Sequence, residues 1–579
     1  MKSKISNRTV KVSADESKGK ERIIYPLLIF AFWLVACIIC QFIFPHRLVW
    51  DEVAYLSVAR GIAEDFDFGS RAYTIMGILN DGYPTHFIHY PLFPIYVALF
   101  FKLFGVSLTV GYFSTWFAAL GVCLLIYFIF LLLSENNYKL AFIAALSYLF
   151  YPSILKNCDS AMMEQFGCFL LCLSTYLILK DYVKGSFTYW TVLKFIFSFL
   201  ILWSYKTIFI GFLIGSMLLI WLAYSPQFTG KKLSSKIPMP VFIFLSFGVF
   251  AVLFYMFKQF VFYPVTPLMN YSPEQEIKQA YADFLGGLFN DFPNNLLSNI
   301  KYFFNVIIGS YFIYPTNAVY DTSEYANFKN SILVTSSYYV LDCVYFFFFL
   351  LMIIFTCSSW KKLNPQEKLF TSFTLFTIVV FNVILCLIVK PYHENLWRYN
   401  MYYLPLYLCT LCLLLGKLSL YFKSYITEHP KATIALLVSL FVFLYIPLFL
   451  SSITHYLYYE SVFHLRAKQN DELIKSFVKD TKPKFVYFKD GIHTTFTNYP
   501  IKQVAKDATN DQLLHVNKIL PEPIEFLFLR PNDWLYENNK ESIVMGGPIL
   551  NNQYKLYGFS RDGEIIVYRF DKTNKEIGK

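Results

Sequence analysis

The chain has 579 residues, 56% of them hydrophobic and only 15% charged, with a formal net charge of +11. That balance excludes a soluble enzyme of this length and suits a polytopic membrane protein. The positive charge does not indicate nucleic acid either, because Lys and Arg gather in the N-terminal tail and in short loops between apolar runs, as in cytoplasmic loops.

Residues 1–22 are polar and carry Lys2, Lys4, Arg8, Lys11, Lys18, Lys20 and Arg22, which predicts a disordered cytoplasmic tail. The first apolar run, Ile23 to Phe44, is too long for a signal-peptide core and lacks a small-residue cleavage site, so it reads as a retained anchor. Residues 45–90 then lie outside and open on Trp50-Asp51-Glu52-Val53-Ala54-Tyr55. Two adjacent carboxylates at the mouth of a span are costly to keep there and point to function. The plainer reading is that they begin a solvated loop and cap the next helix. Val53 to Phe66 reads as a helix at the membrane interface, with Val53, Leu56, Ile62 and Ala63 on an apolar side. Gly69, Gly77, Gly82 and Pro84 then predict a repeatedly bending loop.

Further apolar runs lie at 91–104, 109–133, 138–155, 160–180, 188–204, 206–224 and 238–260, and again at 336–357, 368–389, 398–418 and 432–453. Against the ~20 residues a full span needs, they predict an all-α membrane bundle of about 12–13 transmembrane helices, with interfacial helices in the outer loops. The polar stretch 261–335 is too long for a passive connector. Lys231, Lys232 and Lys236, then Lys361, Lys362 and Lys368, then Lys417, Lys423 and Lys431 place their loops inside. One of the short runs between residues 91 and 224 must then be half-length, or two must merge; 138–155 is the candidate. The tail from 455 differs in kind. Lys484–Phe488, Ile524–Leu529 and Glu564–Phe570 read as strands and Asp511–Ile519 as a helix, which predicts a small outer α/β domain over 455–579 behind a membrane domain over 23–454.

All 11 cysteines fall between Cys37 and Cys412, in or beside apolar runs, with no disulfide framework or Cys-based metal site. Cys37 and Cys40 are spaced C-x-x-C inside a span and read as packing residues. Beyond Asp51 and Glu52, the ionisable candidates are Glu164 at the start of an apolar span, Lys206 between two apolar runs, and His393, Glu394 and Arg398 in Lys390–Tyr399 at the outer end of a span. Asp159 lies near Glu164. Each could instead be a snorkelling or paired structural charge, and for Asp159 and His393 that reading is at least as good. If they converge, carboxylates and cations share one outer cavity. Such a site suits group transfer from an anionic lipid-linked donor: a carboxylate accepts the nucleophile's proton and fixed cations stabilise the departing phosphate. No Gly-rich phosphate loop and no His/Asp cluster with metal-ligand spacing is visible.

These stretches, taken in order, resemble the GT-C membrane glycosyltransferases, near the protein O-mannosyltransferases and the aminoarabinose lipid A transferases. Asp51-Glu52-x-x-Tyr55 with Ala59 is similar to the acidic motif of the family's first outer loop. His89-Tyr90-Pro91-Leu92-Phe93-Pro94, running on to Phe101-Lys102-Leu103-Phe104-Gly105, is similar to the proline-rich start of the second span, with His-Tyr-Pro where His-Pro-Pro is commoner. Pro152 followed by Glu164 resembles the second acidic position, Lys206 the later basic one, and Arg398-Tyr399 with Pro405 an Arg-Tyr…Pro element near the end of the bundle. The likeness covers loosely the first 420 residues or so, and the tail is more weakly similar to the small outer α/β domain of some relatives. It implies a polyprenyl-phosphate monosaccharide donor, with undecaprenyl phosphate as the bacterial carrier, and inversion at the anomeric carbon. It makes Asp51 the base or the acceptor-orienting carboxylate, beside Glu52, and gives Glu164 a role in orienting the acceptor or sugar. Lys206 and Arg398 would hold the donor phosphate, with Tyr55, His89, His393, Glu394 and Tyr399 as further substrate contacts. A divalent cation is required in some relatives and not in others. The implied setting is a multi-pass protein of a bacterial plasma (inner) membrane, with the active site and tail outside and a glycolipid, glycan or protein as acceptor.

Two other classes compete: a transporter or flippase of a lipid-linked saccharide, and a non-catalytic relative in a complex. The chain shows no internal repeat of the kind many transporters have. The intact Asp51-Glu52 speaks against a non-catalytic role.

Overall fold

The computed structural model describes residues 21–40, 50–66, parts of 72–83, nearly all of 92–183, 360–388, 401–421 and most of 472–572, with scattered positions between. Helix α1 spans Glu21–Cys40. There follow α2 (Trp50–Asp65), β1 (Ala72–Thr74), α3 (Leu92–Phe104), α4 (Leu108–Leu133), α5 (Tyr138–Leu149) and α6 (Glu164–Val183). Later in the bundle come α7 (Pro365–Ile388) and α8 (Leu404–Tyr421), the latter preceded by a short 3₁₀ turn at Met401–Tyr403. Among the described residues, α1 and α4 are long and apolar enough to cross a membrane.

Helix α4 is the axis of the bundle. Its 26 residues reach about 39 Å, more than the hydrocarbon thickness. Ser107 caps its start by accepting from the Val110 amide (3.2 Å). The Trp33 indole of α1 donates to the Trp116 carbonyl of α4 (2.7 Å). Where α4 meets α6 the backbones approach closely: a Cβ on Gly121 would lie 2.5 Å from the Phe169 ring, so glycine is what lets that ring sit there.

Helix α3 does not run the length of the bundle. Phe93 near its start meets the Tyr55 ring of α2 edge-on at 5.4 Å, and Lys102 near its end donates to the Ala63 carbonyl of α2 (3.1 Å). Both ends of α3 therefore lie beside α2, and Lys102 also places a cation at the carbonyl end of that helix. Helix α5, by contrast, advances alongside α1, with Tyr25 against Phe142 (5.2 Å) and Phe32 against Phe150 (6.0 Å). The expected half-length run, 138–155, holds α5 of 12 residues; α3, of 13, is comparably short and packs against α2 at both ends. Helix α2 also differs from expectation. Tyr55 through Gly61 are buried without a break, where a helix lying at an interface would bury one face only. Protein encloses it.

At the opposite end of the bundle, Asn364 and Glu367 form a reciprocal cap at the start of α7, each side chain accepting from the other's amide at 2.8 Å. The buried Glu367 also pairs with Lys417 of α8 (2.9 Å), and the Asn364 amide reaches the Leu133 carbonyl at the end of α4 (3.3 Å).

The tail forms β2 (Phe485–Phe488), β3 (Lys502–Ala505), α9 (Asn510–Ile519), β4 (Phe526–Leu529), α10 (Trp534–Asn538), α11 (Lys540–Val544), β5 (Tyr554–Phe559) and β6 (Ile566–Phe570). The expected strands at 484–488, 524–529 and 564–570 and the helix at 511–519 fall on β2, β4, β6 and α9. Strand order is β1-β3-β2-β4-β6-β5: the first four are parallel, and β6 and β5 run antiparallel. β2 and β4 are buried on both faces, which is why they read as unbroken aromatic and aliphatic runs. The sheet is not built by the tail alone. Its outermost parallel strand, β1, comes from the loop after α2, and Ile75 and Ile78 beyond it are fully buried in the tail's core with Phe485, Val504 and Leu513.

Candidate functional site

The site is built where α2 meets the turn that precedes α6. Glu52 sits in the first turn of α2 and is completely buried. Its Oε1 accepts a hydrogen bond from the Ala161 amide at 2.8 Å. One helical turn on, the Tyr55 hydroxyl donates to the Met163 sulfur at 3.0 Å. These two bonds clamp the buried turn Ser160–Met163, and the next residue is Glu164, the first of α6. Glu164 is likewise fully buried. Two acidic positions more than a hundred residues apart in sequence therefore meet through a shared turn.

Aromatic rings wall this end. The Tyr96 ring stacks on Phe166 at 4.1 Å, Phe93 lies 6.2 Å from Phe166, and the Tyr96 hydroxyl bonds the Ser114 carbonyl (2.8 Å). Beneath Glu164, the Tyr148 hydroxyl donates to Gln165 (2.7 Å), and the Cys168 thiol to the Met401 carbonyl (3.2 Å). That last contact draws in a third stretch. Met401–Tyr403 is fully buried one turn along α6 from Glu164. Arg398 precedes Met401 by three residues, a chain reach of at most about 11 Å.

Of the expected site residues, the structure joins Glu52, Tyr55 and Glu164 through the 160–163 turn. Asp51 lies in the first turn of α2, beside Glu52 in the chain. Lys206, His89, His393, Glu394, Arg398, Tyr399 and Asp159 lie outside the described residues. So do the expected helices between 201 and 349, including the outer stretch 261–335. Cys37 and Cys40 are buried in α1 and form no disulfide. Sequence reasoning did not assign Ala161 or Met163, which carry no chemical signal, nor Arg60, whose buried guanidinium pairs with Glu64 (2.9 Å) two turns along from Glu52. Lys102 was read only as part of an apolar motif. Among the described residues no three His, Cys, Asp or Glu side chains gather as metal ligands.

The clamp fixes the acidic helix against the second acidic position within a dry, ring-lined end of the bundle. Carboxylates held this way can accept a proton or orient a hydroxyl without reorganising.

No family model and no curated protein matches the sequence. Solved structures do match in fold. The chain is similar to ArnT of Cupriavidus metallidurans bound to undecaprenyl phosphate, with a TM-score of 0.53 at 11% identity over 94% of this chain and 97% of that one. It is similar to the Archaeoglobus fulgidus oligosaccharyltransferase in its apo form, with a TM-score of 0.51 at 12% identity over 95% of this chain and 75% of that one. Both are GT-C glycosyltransferases, and the likeness is one of fold.

Proposed function

We propose that this chain, a membrane protein of GT-C fold, transfers a monosaccharide from a polyprenyl-phosphate carrier to a lipid, glycan or protein acceptor outside a bacterial plasma membrane. The observation that carries the reading is the meeting of three distant stretches, 50–55, 160–164 and 401–403, at one end of the bundle. The undecaprenyl phosphate bound to ArnT supports the choice of carrier.

Asp51 accepts the proton of the acceptor hydroxyl as its oxygen attacks the anomeric carbon. The bond to the carrier phosphate breaks on the opposite face with its electron pair, so configuration inverts. Lys206 and Arg398 stabilise the phosphate charge as it develops. Glu164 orients the acceptor or the sugar. Glu52, with Oε1 on the Ala161 amide, holds the two acidic elements in register rather than taking the proton. With α3 taken out of the count of crossings, the basic loop 225–237 falls on the inner side, and the acidic end on the outer side.

The test uses purified full-length protein in vesicles, supplied with undecaprenyl-phosphate sugars and a membrane extract as acceptor. Donor consumption with a labelled product, lost in Asp51→Asn, supports the transferase. Donor carried across the bilayer but not consumed overturns it in favour of a flippase.

A further inference from the structure

The outer domain borrows its edge strand from the loop that follows the acidic helix. We infer that this domain is a positioning part of the catalytic site, holding α2 in place through β1; the inference rests on the assignment of the site to α2 made above.

Four observations carry it. The pairing is a true parallel register, Ala72 with Gln503, Tyr73 with Val504 and Thr74 with Ala505. It is also locked from behind: Ile75 and Ile78 are fully buried in the tail's core, and the Tyr83 ring meets Phe485 edge-on at 5.4 Å. Both ends of this inserted segment are rooted at the site. Upstream, the six residues 66–71 separate α2 from β1, a reach of at most about 25 Å. Downstream, the chain enters α3, whose Phe93 and Lys102 pack on α2. The exit from α2 is itself constrained. Phe66 holds a left-handed backbone (φ +57°) while its ring is exposed, a conformation a bulky residue keeps only where its surroundings impose it.

The sheet is thus a fixed body gripping the loop between α2 and its main packing partner. A shift of about 1 Å in a catalytic group can cost on the order of a hundredfold in rate, so the grip bears on turnover. Ala72, Tyr73, Thr74, Ile75 and Ile78 act through α2 and are positioning residues.

The test uses the full-length protein in nanodiscs with its donor. A four-residue Gly-Ser insertion between Asp67 and Phe68 leaves both elements intact and uncouples them. Expected is a fall in kcat of at least tenfold, with donor KM within twofold and the melting temperature unchanged. A kcat within twofold of the parent overturns the inference. Should the insertion impair folding, the pair Ala72→Cys and Gln503→Cys decides: full activity after oxidation supports permanent pairing during turnover, and inactivation reversed by reductant overturns it. A parent protein without transfer activity counts against the site assignment; an active parent indifferent to the insertion counts against positioning alone.

Discussion

The two ends of the bundle bury carboxylates in different ways. At one end Glu367 is held by Asn364, three residues away, and by Lys417 across a helix pair, so its charge is met by a reciprocal cap and an ion pair. At the other end Glu52 reaches across to the Ala161 amide, and Glu164 opens the next helix beyond the turn so held. The first arrangement closes a structural joint. The second brings two carboxylate-bearing elements together with aromatic walls, and under the proposed function these acids serve the transfer.

Substitutions at the two ends should therefore separate activity from stability. The largest effect is expected from Asp51→Asn, which removes the proposed proton acceptor: transfer falls by about 10²–10⁴-fold while insertion and melting stay as in the parent, read by donor-dependent product formation. Near-parental turnover would sink its role. Next comes Glu52→Ala, which strands the Ala161 amide in a dry setting and costs about 1.5–3 kcal/mol, together with a loss of turnover. Glu52→Gln keeps an acceptor oxygen and should recover most of both; equal loss in Gln and Ala would make the charge, not the bond, the important property. Glu367→Ala should lower stability by a similar amount, with activity per folded molecule unchanged. An activity loss out of proportion to folding would blur the contrast between the ends.

The smallest effect is expected in the C-terminal sheet domain. The Tyr554 hydroxyl donates to the Ile524 carbonyl (2.7 Å) and accepts from Asn517 (2.9 Å). Tyr554→Phe should cost about 1–2 kcal/mol in chemical denaturation and leave transfer intact. Burial raises the pKa of this phenol above its ordinary value. The unfolded chain ionises first, near pH 10, so the stability Tyr554 contributes is full below that and drains away as pH climbs beyond it.

How much of this was legible follows from where each signal resides. Phe485–Phe488 and Phe526–Leu529 announced themselves because strands buried on both faces are continuous apolar runs. Lys502–Ala505 and Ala72–Thr74 did not, being short, mixed in polarity and defined by partners far off in sequence. Asp51, Glu52 and Glu164 stood out as ionisable groups in apolar surroundings. What fixes them did not: a backbone amide at Ala161 and a thioether at Met163 look like any others in a list of residues. The pairing of α3 with α2 was hidden for a similar reason, since its 13 apolar residues read as part of a span until their contacts with α2 at both ends are seen.

The borrowed strand also sets an order of events during synthesis. Tyr73 leaves the ribosome about 430 residues before its partner Val504, a wait of roughly 20–90 s at ordinary elongation rates. Throughout that interval the edge strand has emerged while its sheet does not yet exist. It finds its place only after the C-terminal strands have been made. Closure of the sheet is thus a built-in record that synthesis has reached the end of the chain's last domain.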